Sequence, residues 1–161
     1  MSLPNELAVL MNPPEQSHDD PSVVTPEQLK RERLRFTNFK FGRTPQGTCS
    51  ADVELEWLEG QRVEGHAEGT SSAMGDLRVA AEAALNAIRR FSDGSLDLEL
   101  VGVKALRVFD ANVVIVAISR RGDATARLLG CYLAEADPIR ASVIAVLNAT
   151  NRILGNFIAT R

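Results

Sequence analysis

Aromatic residues, cysteine and histidine are scarce in this sequence. Only 5% of the 161 residues are aromatic, and there are two Cys and two His. Two cysteines do not make the disulfide framework of a small secreted domain. The chain has 18 Lys and Arg against 21 Asp and Glu, so it lacks the basic excess of a dedicated nucleic-acid-binding protein. The composition therefore favours neither a disulfide-stapled nor a nucleic-acid-binding domain.

No stretch has the character of an export signal or a membrane span. The apolar run from Leu7 to Met11 is too short for a signal peptide, has no basic residues before it and is followed by Pro13 and Pro14. No segment approaches the roughly 20 apolar residues of a transmembrane helix. The sequence predicts a cytoplasmic protein without membrane contact, in which Cys49 and Cys131 are free thiols.

Proline is concentrated at the N-terminus. Five of the seven prolines lie in residues 1–26, which predicts a flexible, proline-rich tail over residues 1–25. We expect a domain over residues 26–161. It opens with a short helix that ends near Arg33, because Thr25 can cap it and Pro26 fits its first turn.

After this helix, the same succession of three strands and one helix occurs twice. In unit one, about residues 34–92, strands are predicted at 34–41, 48–58 and 61–70 and a helix at 76–91. In unit two, about residues 96–157, strands are predicted at 96–109, 113–119 and 124–134. The second helix starts at Pro138, is capped by Asp137 and ends near Phe157.

The two predicted helices are related in sequence. A shift of 62 residues aligns 76–90 with 138–152 and gives six identities in fifteen positions, where composition alone gives roughly one. The identities are Arg78/Arg140, Ala83/Ala145, Leu85/Leu147, Asn86/Asn148, Ala87/Ala149 and Arg90/Arg152. We therefore predict an α+β fold of two βββα units, related by an internal repeat, with antiparallel sheets packed on helices.

The side chains that could carry chemistry lack suitable partners. His66 has no second His or Cys at ligand spacing, so we interpret it as a surface or hydrogen-bonded residue. Cys49 and Cys131 are interpreted as small buried hydrophobes. Ser71 and Ser72 precede a helix without a nucleophile-elbow motif. We predict no catalytic residue, no metal ligand and no cofactor, and hence no enzyme.

Residues 29–43 offer an alternative function. Basic side chains alternate there with Phe36, Phe39 and Phe41, a pattern that can bind single-stranded nucleic acid by stacking. The favoured interpretation is an edge strand that is protected by charged residues and points its phenylalanines inward.

The loops between the third strands and the helices are candidate binding sites. Helix N-termini present free N–H groups that can hold a small carboxylate, although the same residues can simply cap and turn the chain. The candidate ligand-binding residues are Gly65, Gly69, Thr70, Ser71 and Ser72 in unit one, and Gly130 and Asp137 in unit two.

Four segments carry a family resemblance: residues 53–69 (VELEWLEGQRVEGHAEG), 80–88 (AAEAALNAI), 96–107 (LDLELVGVKALR) and 114–153. Over residues 34–155 the chain resembles the C-terminal regulatory, dimerisation domain of 2-isopropylmalate synthase and its citramalate synthase relatives. The resemblance implies two βββα units, a homodimer, and binding of leucine or a related branched-chain product for feedback inhibition.

Two departures from the family alter this expectation. The family's third strand ends in a Gly-Asn-Gly-Pro loop, which residues 70–75 replace and lengthen. The synthase's catalytic barrel, which needs about 250 residues, is missing. Met1 and the distinct tail favour a free-standing module, whose partner would be a separate barrel-type synthase.

We thus expect a non-catalytic, homodimeric regulatory module that senses a small carboxylate such as a branched-chain amino acid. The first alternative is a dimerisation or protein-interaction module without ligand, in which Met74 fills the cleft. Nucleic-acid binding through residues 29–43 is the less favoured alternative.

Overall fold

The computed structural model describes residues 33–58 and 60–160. The predicted tail lies outside these residues. So does the predicted first helix, apart from its last residue, Arg33.

The described residues form two successive βββα units. Unit one contains β1 (Arg35–Arg43), β2 (Thr48–Trp57), β3 (Gln61–Thr70) and α1 (Ala73–Phe91). Unit two contains β4 (Leu98–Val108), β5 (Ala111–Arg120), β6 (Asp123–Leu133) and α2 (Pro138–Ala159). Each set of strands forms its own antiparallel three-stranded sheet, in the orders β1-β2-β3 and β4-β5-β6. The predicted α+β fold of two βββα units is confirmed.

The alternation of residue types in β2 determines which face of the first sheet is buried. Ala51, Val53 and Leu55 are fully buried, whereas Asp52 between them is exposed. Because successive side chains of a strand point to opposite faces, one face of the sheet joins the core and the other faces solvent. Strand β2 therefore has one buried and one solvent-facing side.

Helix α1 begins one turn earlier than the sequence pattern predicts. Ser72 is its N-cap, and the Ser72 hydroxyl accepts a hydrogen bond from the Gly75 amide at 2.9 Å. Residues 73–75, predicted as part of a lengthened loop, are therefore its first turn. A mid-turn glycine disfavours helix, but the serine cap offsets that cost. The helix ends before Asp93 and Gly94, which both have positive φ angles.

Asp137 caps α2 as predicted. Its carboxylate accepts hydrogen bonds from the amides of Ile139 and Arg140 at 2.9 and 3.1 Å, and Pro138 occupies the first turn. This pairing satisfies amides that have no partner within the helix itself.

The two helices form a layer between the two sheets. On one side, α1 contacts β2 and β3; on another it contacts β4, where Arg89 donates to the carbonyl of Leu98 at 3.1 Å. Helix α2 contacts α1, β5 and β6, and its Arg140 lies over the ring of Phe36 in β1. The inner face of each sheet is buried by this arrangement, while the outer faces stay open. Among the described residues, neither helix combines the length and apolarity needed to cross a bilayer.

Equivalent contacts recur in the two units. The Asn86 side chain donates to the carbonyl of His66 at 2.8 Å, and Asn148 donates to that of Cys131 at 3.0 Å. The helical partners are 62 residues apart and the strand partners 65. The structure therefore extends the helical repeat to the strands and aligns His66 with Cys131.

Candidate functional site

The three predicted ligand-binding glycines all lie within strands and face a helix, and two of them face the helix backbone. A Cβ on Gly65 would stand 2.1 Å from the carbonyl oxygen of Ala83, and one on Gly130 would stand 2.1 Å from that of Ala145. Such distances leave no room for any side chain, so these glycines allow the helix to approach the sheet closely. The helix backbone occupies the space where a ligand at these positions would lie.

The other predicted residues of unit one are engaged in local hydrogen bonds and packing. Gly69 faces the Val79 side chain, and Thr70 ends β3 opposite Thr48. The Ser71 amide donates to the carbonyl of Gly47 at 2.8 Å. Gly69 and Thr70 border a cleft of about 350 Å³ at the paired ends of β2 and β3. Met74 is 48% exposed and is not among the residues that line this cleft.

A buried carboxylate lies beside this loop. Asp76 is only 4% exposed. Arg43 donates to its Oδ2 from Nε at 2.8 Å and lies 2.6 Å away through a terminal guanidinium nitrogen, while the Ser71 hydroxyl donates to Oδ1 at 3.0 Å. Burial alone would raise the pKa of Asp76, but the hydrogen bonds from Arg43, Cys49 and Ser71 hold this pKa below its ordinary value.

This cluster fastens the end of β1 to the start of α1. Burial and the neighbouring Asp76 raise the pKa of the Cys49 thiol, so Cys49 stays protonated and can donate to the carboxylate. The sequence pattern places Asp76 at the start of the helix predicted over 76–91 and assigns it no partner. Its partner Arg43 is 33 residues away in sequence, and no local pattern links the two.

Both helix N-termini already hold carboxylates of this chain. Asp76 lies in the first turn of α1, and Asp137 accepts from the first amides of α2. An anionic ligand placed there would meet a like charge. A small carboxylate ligand therefore needs a cationic partner other than the helix N-termini.

A larger cleft offers such a partner. It has a volume of about 620 Å³ and lies between the end of β6 and the N-terminal half of α2, a size typical of small-molecule sites. Apolar side chains form most of its wall, and Arg140, Glu135 and Asp137 supply charge. Its lining comprises Val113, Cys131, Tyr132, Leu133, Glu135, Ala136, Asp137, Arg140, Ala141 and Ile144.

Asp137 is the one predicted site residue in this lining, and Gly130 is the strand neighbour of Cys131. Of the seven predicted residues, Gly69 and Thr70 thus border one cleft and Asp137 borders another, while the other four line neither. Sequence reasoning missed Arg140 as a binding group. The repeat marked it as identical to Arg78, but the spacing alone does not tell which arginine borders a cleft.

Arg140 is held by an aromatic ring. Its guanidinium carbon lies 5.1 Å from the ring centroid of Phe36, a cation–π distance. This contact leaves the guanidinium N–H groups available to an anion, because the ring uses the flat face of the group.

A second charged cluster lies on the outer face of the first sheet. The two ring nitrogens of His66 lie 2.7 Å from Asp52 and 3.1 Å from Glu68. These hydrogen bonds raise the pKa of His66 above its ordinary value.

Within residues 33–58 and 60–160, no group of three His, Cys, Asp or Glu side chains is arranged to hold a metal ion.

The described part of residues 29–43 is the edge strand β1. Phe36, Phe39 and Phe41 are partly buried against the core, and Arg43 is paired with Asp76. The phenylalanines therefore do not form an open stacking platform on this strand.

No protein-family model matches the chain, and no curated protein matches it significantly. The resemblance to the regulatory domain of 2-isopropylmalate synthase therefore stays a prediction.

Proposed function

We propose that this chain is a non-catalytic, homodimeric regulatory module that binds a small carboxylate metabolite, such as a branched-chain amino acid, in the cleft between β6 and α2. One observation carries the proposal: the cleft combines an apolar wall with a cation, Arg140, and a carboxylate, Glu135, while its second carboxylate, Asp137, is engaged as the helix cap. A zwitterion with a branched aliphatic side chain needs all three features.

Each part of such a ligand has a partner in the cleft. The guanidinium of Arg140 suits a carboxylate, because it offers paired N–H donors in one plane. Glu135 suits an ammonium group, and Ile144 and Val113 suit the branched side chain. A 2-oxo acid lacks the ammonium group and would leave Glu135 without a ligand partner, so we expect amino acids to bind more tightly than the corresponding oxo acids.

The regulatory role and its setting rest on the resemblance. In this proposal the module acts in the cytoplasm, and its binding state controls a separate barrel-type synthase. Such control requires that the synthase contact the module differently in its free and bound states.

Isothermal titration calorimetry tests the proposal. We expect leucine, isoleucine or valine to bind to the full chain, and Arg140→Gln to weaken binding at least tenfold. The matched control is Arg78→Gln, since Arg78 is the repeat equivalent of Arg140 and pairs instead with Glu82 at 3.0 Å. The absence of any binding heat at millimolar ligand would overturn the ligand proposal.

A second function is a dimerisation or protein-interaction module without a ligand. The observation that favours it is the exposed aliphatic surface of β6, where Leu129 is 71% and Leu133 is 52% exposed. A dimer that binds none of the tested acids would select this function over the first.

A further inference from the structure

The outer face of the second sheet is apolar although no part of the described chain covers it. Strand register aligns Leu106 with Val113 and Leu133 in one row across the sheet, and Gly102 with Ala117 and Leu129 in another. Ile115 lies between these rows at the centre of β5. Such a face is unusual in a sheet whose other face already forms the core.

The first sheet provides an internal comparison. His66 and Cys131 occupy equivalent positions, which aligns the two sheets with each other. In this alignment three polar residues of the first sheet correspond to aliphatic residues of the second: Glu64 to Leu129, Glu68 to Leu133 and Asp52 to Ile115. The same architecture thus has a charged outer face in one unit and an aliphatic one in the other. The fold does not require the aliphatic face, so it points to a binding partner.

We propose that this face packs against the same face of a second copy of the chain, around a two-fold axis parallel to β5. Such an axis brings β4 of each copy opposite β6 of the other. Gly102 then faces Leu129 of the second copy. Because glycine has no side chain, there is room for the leucine. Ile115 meets its own symmetry mate at the centre.

Charge complementarity supports this axis. At one end of the face, register places Glu99 and Arg127 on either side of Ser119. The two-fold axis sets Glu99 of each copy opposite Arg127 of the other, which creates two opposite-charge pairs. An axis perpendicular to the strands would instead bring this charged row against the other end of the sheet.

The remaining charge on the face is compatible with the packing. Lys104 shares a row with Ile115 and Cys131, but it lies on the edge strand β4. A long lysine side chain at an edge can cover apolar surface while its ammonium group stays in water at the rim.

The area of the face predicts a modest affinity. Three strands about 4.8 Å apart and about ten residues long present roughly 500 Å². Two such faces bury on the order of 1,000 Å², at the lower limit for a specific interface. We therefore expect a dimer that dissociates on dilution through the micromolar range. The inference rests on the homodimeric part of the proposed function. Its test needs no ligand, although Val113 and Leu133 belong both to this face and to the lining of the cleft.

Sedimentation equilibrium of the full chain tests the surface. We expect a concentration-dependent dimer, a tenfold or greater weakening in Leu129→Lys, and no change in Glu64→Lys. The two substitutions place the same lysine at matching positions of the two sheets, and circular dichroism verifies that both variants are folded. A monomer at all concentrations would overturn both this inference and the homodimer. A Leu129→Lys variant that dimerises like the wild type would show that the dimer forms through another surface.

A charge exchange tests the position of the two-fold axis. If Leu129→Lys does not fold, the same exchange also tests whether this face forms the dimer interface. Glu99→Arg and Arg127→Glu should each weaken the dimer, because each places like charges opposite one another. The double variant should restore most of the lost affinity. If both single variants dimerise normally, or if the double variant is no better than the singles, the proposed axis is wrong.

Discussion

Gly65 lies so close to Ala87 that a Cβ on the glycine would stand 2.2 Å from the amide nitrogen of the alanine. Gly130 has the same relationship to Ala149 in the second unit, with a distance of 2.6 Å to its amide nitrogen. In both units the strand and the helix touch through their backbones, and only glycine permits that contact.

Replacing either glycine by alanine should therefore destabilise the fold. We expect Gly65→Ala and Gly130→Ala each to lower the free energy of unfolding by about 3 kcal/mol, because the added methyl group forces the helix away from the sheet. Urea denaturation measures this change. Gly42→Ala is the control, since its Cβ would meet only the Ser50 hydroxyl at 3.9 Å. A loss below about 0.5 kcal/mol in both units would contradict the close packing.

The Arg43–Asp76 pair should stabilise the fold in a pH-dependent way. We expect Arg43→Gln to cost about 1–2 kcal/mol at neutral pH, less than for a fully buried pair because Arg43 is half-exposed. The pKa of Asp76 is lowered in the folded state. Its stabilising contribution is therefore complete above the unfolded-state pKa, and it is lost as the pH falls through the lower, folded-state pKa.

Urea unfolding of the wild type and Arg43→Gln between neutral pH and pH 3 tests this prediction. The difference between the two should shrink on the acidic side. Arg35→Gln serves as the control, because the Arg35 side chain is 58% exposed and lies 3.9 Å from Glu56, and a pair with such an exposed, distant arginine should contribute little. A difference that stays constant with pH would show that Asp76 does not respond to Arg43.

His66 should titrate above the ordinary range of histidine. Hydrogen bonds with Asp52 and Glu68 raise its pKa, so its stabilising contribution is complete below the unfolded-state pKa and is lost as the pH rises through the folded-state pKa. An NMR titration of the imidazole signals, assigned with His66→Gln, measures this. We expect Asp52→Asn to move the pKa of His66 back toward its ordinary value. An unchanged pKa in that variant would contradict the assigned cause.

The sequence predicted the elements that local patterns specify. The bounds predicted for β3 agree with the structure, and so does the cap at Asp137, because strand alternation and capping are local properties. The start of α1 was predicted three residues late, because the low helix propensity of Gly75 made residues 73–75 look like part of a loop. Helix caps can override such a glycine, but only the hydrogen bond from Gly75 to Ser72 reveals that.

The candidate site was predicted only in part. Asp137 borders the larger cleft, yet Arg140 and Ile144 emerge as its neighbours only when α2 is placed on the second sheet. The roles of Gly65 and Gly130 depend likewise on which backbone lies opposite them. Contacts between distant segments have no local pattern, and this explains why the Arg43–Asp76 pair was also missed.

An NMR titration of the ¹⁵N-labelled full chain with leucine is the sharpest test of the cleft between β6 and α2, because it locates binding as well as detecting it. We expect shifts of backbone amides around the cleft, from Tyr132 to Ile144, that saturate with ligand and are lost in Arg140→Gln but retained in Arg78→Gln. If leucine, isoleucine and valine cause no shifts at millimolar concentration, or if the shifts cluster around Thr70 and Ser72 instead, the proposed binding site is contradicted.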